Sequence, residues 1–111
     1  MLSYDREQAH KFICENMHEL YLKKNKDYGG SITETYKKYG LTSFLVRMED
    51  KLNRIYNINK NGECKVKDES VRDTLIDLAN YAILAVIELD CDKYLANNEV
   101  GESDEFTNNR N

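Results

Sequence analysis

Proline is absent from the 111 residues and glycine occurs only five times, so few points in the chain oblige a helix to break. With 41% hydrophobic and 32% charged residues, such a mix favours long helices over a sheet of many turns, and the expected class is all-α. Cysteine is scarce. Cys14, Cys64 and Cys91 are odd in number and lack paired spacing, which argues against a disulfide framework and a zinc knuckle and points to a reducing cytosol. No window approaches the roughly 20 apolar residues of a membrane span. The opening MLSYDREQAH also carries charges where a signal peptide has its apolar stretch, so a soluble cytoplasmic protein without a membrane partner is expected. Basic runs with interleaved aromatics are missing too, and a net charge of -4 repels a nucleic-acid backbone, which argues against duplex binding.

One compact domain fits this length, over residues 1–97, followed by a polar, acidic stretch over 98–111 that lacks periodicity and is expected to be disordered. A domain this small buries only about two-thirds of its unfolded surface, so a homo-oligomer that completes the core is expected. Within the domain, Ala9, Phe12, Ile13, Met17, Leu20 and Tyr21 recur at helical spacing, predicting a helix from Tyr4 to about Lys24 with Ser3 as its N-cap. The paired glycines in NKDYGGS predict a tight loop over 25–31, and a short helix over 33–39 should stop at Gly40. A third helix is expected to start after Thr42 or Ser43 and run to about Asn59, burying Phe44, Leu45, Met48, Leu52, Ile55 and Tyr56. Beyond a polar loop over 59–67, Asp68 should cap a last helix reaching Asn97, whose stretch 75–89 is apolar on nearly every side and therefore central.

Acidic stripes mark this frame. At 100° per residue Glu69, Asp73, Asp77 and Asn80 fall on one narrow stripe of the last helix, beside the apolar arc of Val71, Leu75, Leu78, Ala82 and Val86. An unpaired buried carboxylate costs several kcal/mol, so Asp77 needs a cation, a basic partner or a water-filled cavity. On the third helix Glu49 and Asn53 border the apolar face, while Asp50 projects farther out beside Arg47 and Arg54. Antiparallel packing of the two helices would set Glu49 opposite the stripe. Clustered carboxylates repel unless a divalent cation neutralises them, and hard oxygen ligands suit magnesium or manganese, which then bridge to phosphate. The competing reading is a solvated face with pairs such as Asp50–Arg54 or Glu69–Arg72.

Lys26, Asp27, Tyr28 and Gly29 bring a cation, an aromatic ring and backbone N–H groups together, as a phosphate or base site requires, although an ordinary turn has the same composition. Arg47, Lys51 and Arg54 are further phosphate partners, or plain surface cations. His10, Cys14 and His18 recur at four-residue spacing, but zinc needs a fourth ligand and none is legible. Tyr56 and Tyr81 read as core or interface residues rather than base-stacking platforms. No Ser-His-Asp or Cys-His arrangement is legible.

The segments KNKDYGGS (24–31), GLTSFLVRMEDKLNRI (40–55) and KDESVRDTLIDLANYAIL (67–84) together resemble the phage and bacterial family called nucleotide modification associated domain 1. That family looks like a relative of the all-α nucleoside triphosphate pyrophosphohydrolases, the MazG and dimeric dUTPase group. The resemblance implies a four-helix, oligomeric, MazG-like protein of a bacterial cytoplasm, phage or host encoded, that handles a nucleotide-derived small molecule through magnesium. It departs from the E-E-x-x-E and E-x-x-D motifs of that group. The first reads Glu49, Asp50 and Asn53, with an amide as third member, and the second has no clean match, because Glu69, Asp73 and Asp77 are spaced by four. Three functions are then open. In a magnesium-dependent phosphohydrolase, Glu49, Asp73 and Asp77 hold metal, Glu69 or Asp50 assists metal or water, and Lys26, Lys51 and Arg54 hold phosphates. Alternatively, the chain sequesters a nucleotide immune signal, cyclic or ADP-ribose-like, without converting it, or serves as an accessory to phage DNA base modification.

Overall fold

The computed structural model describes residues 3–28, 30–60 and 69–98, and the helices are α1 (Arg6–Tyr28), α2 (Ser31–Tyr39), α3 (Thr42–Lys60) and α4 (Glu69–Asn97). Among the described residues there is no strand, so the all-α four-helix expectation holds.

The boundaries follow from local chemistry, with two corrections. Asp5, not Ser3, caps α1, its Oδ1 accepting from the Gln8 backbone N–H at 3.1 Å. Residues 25–28 are not a loop, because α1 continues through them to Tyr28. Asn, Lys and Asp each cost a helix only a fraction of a kcal/mol, so the break waits for glycine. Gly30 precedes α2, which opens two residues earlier than expected, at Ser31. Gly40 closes that helix in the left-handed region at φ 67°, its N–H bonding the Tyr36 carbonyl at 2.7 Å. Ser43 Oγ donates back to the Gly40 carbonyl and steadies the entry into α3. The expected Asp68 cap, the 61–67 part of the polar loop and the tail beyond residue 98 lie outside the described residues.

α3 packs along α4, α2 closes on α3 and is tied to α4 by two side-chain hydrogen bonds, and α1 touches α4 more lightly than α3 does. The buried core lies where α2, α3 and α4 meet: Phe44 is 1% exposed and is surrounded by Tyr36, Leu84 and Ala85, with Tyr21, Ile32, Met48 and Tyr81 packed against them. The expected core of α3 is thus only partly buried. Leu45, Leu52 and Tyr56 are exposed, because α3 turns Phe44 and Met48 toward α4 and no other element among the described residues covers the neighbouring stripe. α4 is central as expected, yet Leu75, Ile83, Val86, Ile87 and Leu89 stay 43–54% exposed. No helix among the described residues is long and apolar enough to cross a membrane.

Candidate functional site

The acid that the last helix places deepest in apolar sequence has found its partners. Asp77 is half-buried, with Lys51 Nζ of α3 at 3.3 Å from Oδ2 and Lys24 Nζ of α1 at 3.6 Å from Oδ1. Lys24 reaches it because α1 runs on instead of turning away after residue 24. Two ammonium groups against one carboxylate leave an excess of one positive charge there.

Beside this cluster lies a cavity of about 240 Å³, whose floor is the stripe of α4 carrying Asp77, Asn80, Tyr81, Leu84 and Glu88. Tyr21, Lys24 and Asn25 of α1, Ile32 and Thr33 of α2, and Lys51 of α3 form the walls. Arg47 lies over the Tyr81 ring, its Cζ 5.7 Å from the centroid, within range of a cation–π contact. At the far end Thr33 Oγ1 donates to Glu88 Oε2 at 2.6 Å, and one turn farther Tyr36 Oη donates to Asp92 Oδ2 at 2.6 Å. The bond to Asp92 is the first cause that raises the Tyr36 phenol above its usual pKa, with burial and the neighbouring carboxylates adding to it. A second cavity of about 340 Å³ adjoins the first across the Lys24–Asp77 pair and is also lined by Asp73 and Arg72.

The sequence-read residues therefore divide. Lys51, Asp77 and Asn80 share the main cavity, Asp73 reaches only the adjoining one, and Arg47 lines neither but touches the Tyr81 ring. Lys26 is exposed in the last turn of α1, whereas the Asp27 and Tyr28 side chains and Gly29 lie outside the described residues. Glu49 is solvent-exposed rather than turned inward, Glu69 is exposed in the first turn of α4, and Asp50 and Arg54 line a shallow depression elsewhere on α3. Among the described residues no three His, Cys, Asp or Glu side chains gather as a metal ion requires. As arranged, Glu49, Asp50, Asp73 and Asp77 offer magnesium no ready set of oxygens, and Asp77 is held by lysines instead. His10 and Cys14 sit 3.9 Å apart, Nδ1 to Sγ, while His18 stacks on Tyr21.

Sequence reasoning missed Tyr21, Asn25, Thr33 and Glu88, took Lys24 only as the end of the first helix, and read Tyr81 as core or interface. Glu88 was findable, since it lies eleven residues after Asp77 and so returns to the same face of α4. Thr33, 55 residues away, gives no such signal.

Fold and site define a small all-α protein whose helices enclose a cavity with a lysine pair at one end and a carboxylate at the other. It belongs to the nucleotide modification associated domain 1 family, whose model matches residues 24–89, a span holding every cavity residue named above except Tyr21. No curated protein matches the chain. No solved structure matches it either.

Proposed function

We propose that this chain binds a nucleotide in the cavity along α4, with phosphate against Lys24 and Lys51 and the base on the tyrosine-lined wall. The observation that carries this reading is the convergence of two ammonium groups on one half-buried carboxylate. A phosphate offers more charge and more acceptor oxygens than Asp77 does, so it competes for both lysines. Tyr21 and Tyr81 line the cavity, one ring face of each engaged by His18 and by Arg47 respectively, and a base stacked on the other face gains about 1–3 kcal/mol. The family is associated with nucleotide modification, and the matched span contains both lysines. At about 240 Å³ the cavity is a little smaller than most ligand pockets, which start near 300 Å³, so a phosphate chain extends past Lys24 toward the adjoining cavity.

The arrangement favours binding over hydrolysis. Asp77 is engaged by lysines, Glu49 and Asp50 are exposed to solvent, and among the described residues no three such groups gather, so the carboxylates do not converge on a water. Isothermal titration with nucleoside mono-, di- and triphosphates, each with and without magnesium, followed by chromatography of the recovered ligand, tests this. The expected result is saturable binding of a nucleotide recovered intact, weakened about tenfold or more by Lys51→Ala, the loss of one charge-assisted hydrogen bond. Affinity indifferent to Lys51→Ala, or no binding by any member, overturns the reading. Release of pyrophosphate or phosphate with magnesium present replaces simple binding with a magnesium-dependent pyrophosphohydrolase.

A further inference from the structure

The cavity is polarised along its length, and this polarity, taken together with the nucleotide reading on which it rests, bears on which nucleotide fits. Asp77 and Glu88 lie on one face of α4, eleven residues apart, which at helical rise separates them by roughly 16 Å. The lysine pair leaves positive charge at the Asp77 end, whereas among the described residues no cation is paired with Glu88. Glu88 is half-buried beside Leu84 and Ile87, and Thr33 occupies one of its acceptor positions. An ionised carboxylate has about four such positions. A carboxylate part-way out of water and short of donors is completed by a guest that brings them.

From this we infer that Glu88 determines specificity: it accepts two adjacent hydrogen-bond donors from the nucleoside part of the guest, away from the phosphates. Two parts of a nucleotide carry such a pair, the N1–H and N2–H edge of guanine and the cis-diol of a ribose. The other bases place an acceptor beside each donor, and that acceptor is repelled by the carboxylate. Asn80, between the two ends, carries both a donor and an acceptor and accommodates either orientation of the guest.

Titration of the full chain with GDP, dGDP, ADP and dADP separates the sources. The dGDP to dADP ratio isolates the base, and the GDP to dGDP and ADP to dADP ratios isolate the diol. One of these ratios is expected to favour the donor pair by about tenfold or more, and Glu88→Gln, which turns half of the acceptor into a donor, is expected to bring it close to one. Inorganic pyrophosphate should bind Glu88→Gln and the parent chain alike. Because Glu88 also tethers α2, Thr33→Val serves as the control: it breaks the same tether while leaving the carboxylate, and should keep the preference. Equal affinity for all four nucleotides, or a preference that survives Glu88→Gln, overturns the assignment while leaving the nucleotide reading intact. Failure of all four to bind overturns the assignment, and failure of the mono- and triphosphates as well overturns the nucleotide reading.

Discussion

Asp77 is the point at which three charges from three helices meet, and its sign relative to a ligand separates two kinds of site. If Lys24 and Lys51 are there to receive an anion, the Asp77 carboxylate is a placeholder that the incoming phosphate must displace and is repelled by. Asp77→Asn should then tighten pyrophosphate or nucleotide binding by about fivefold at low ionic strength, since a charge at roughly 4 Å in a wet site is worth about 1 kcal/mol. If the carboxylate serves a cation instead, the same variant weakens binding, so a titration of this one substitution decides between them. The fold itself should tolerate it, because a half-exposed pair contributes about 1 kcal/mol or less. The need of Asp77 for a partner was legible in the sequence, since a carboxylate in an apolar run has few options. The partner's identity was not: Lys24 becomes one only because α1 continues past the point where the polar, glycine-containing segment suggested a turn. The exposure of Glu49, expected to turn inward, was hidden for a related reason. A helical projection orders side chains around an axis but does not say which side the neighbouring helix covers, and α4 lies on the side of Phe44 and Met48.

Among the elements α2 depends most on its neighbours, since a nine-residue helix is too short to persist alone and must be held by what it touches. Gly40 ends it, Tyr36 anchors it in the core against Phe44, and two short hydrogen bonds to carboxylates of α4 fasten its outer side. These bonds join residues 55 and 56 positions apart, so no local pattern announced them, although the helix itself and its glycine stop were plain. The Tyr36–Asp92 bond carries a pH signature. A phenol whose folded-state pKa lies above its unfolded value near 10 adds stability that is fully present below that value and is lost as pH rises through the folded pKa. Tyr36→Phe should therefore unfold at lower urea than the parent chain at pH 8, and the gap between the two should close above pH 10. A gap that stays constant to pH 11.5 would mean that the hydroxyl contributes nothing through this bond.

On the scale of the whole chain, the apolar content read from the sequence and the apolar content buried by one copy do not agree. Leu45, Leu52 and Tyr56 recur along α3, and Leu75, Val86 and Leu89 along α4, at spacings that put each set on one face; all six remain exposed in the single chain. Periodicity therefore identified real faces but not what covers them, because a pattern cannot distinguish a face turned to its own core from one turned to another copy. Apolar stripes left exposed on a small domain predict an interaction site, and a second copy has the same two stripes to offer. Light scattering after size exclusion is expected to return a multiple of the 13.0 kDa chain mass at micromolar concentration. Leu52→Glu and Val86→Glu should each shift the mass toward the single chain while circular dichroism keeps its helical signal, because a carboxylate costs little at an exposed position and much in an apolar contact. A parent chain that elutes with the mass of one copy at every concentration, indifferent to both substitutions, would show that these stripes face solvent in the native protein.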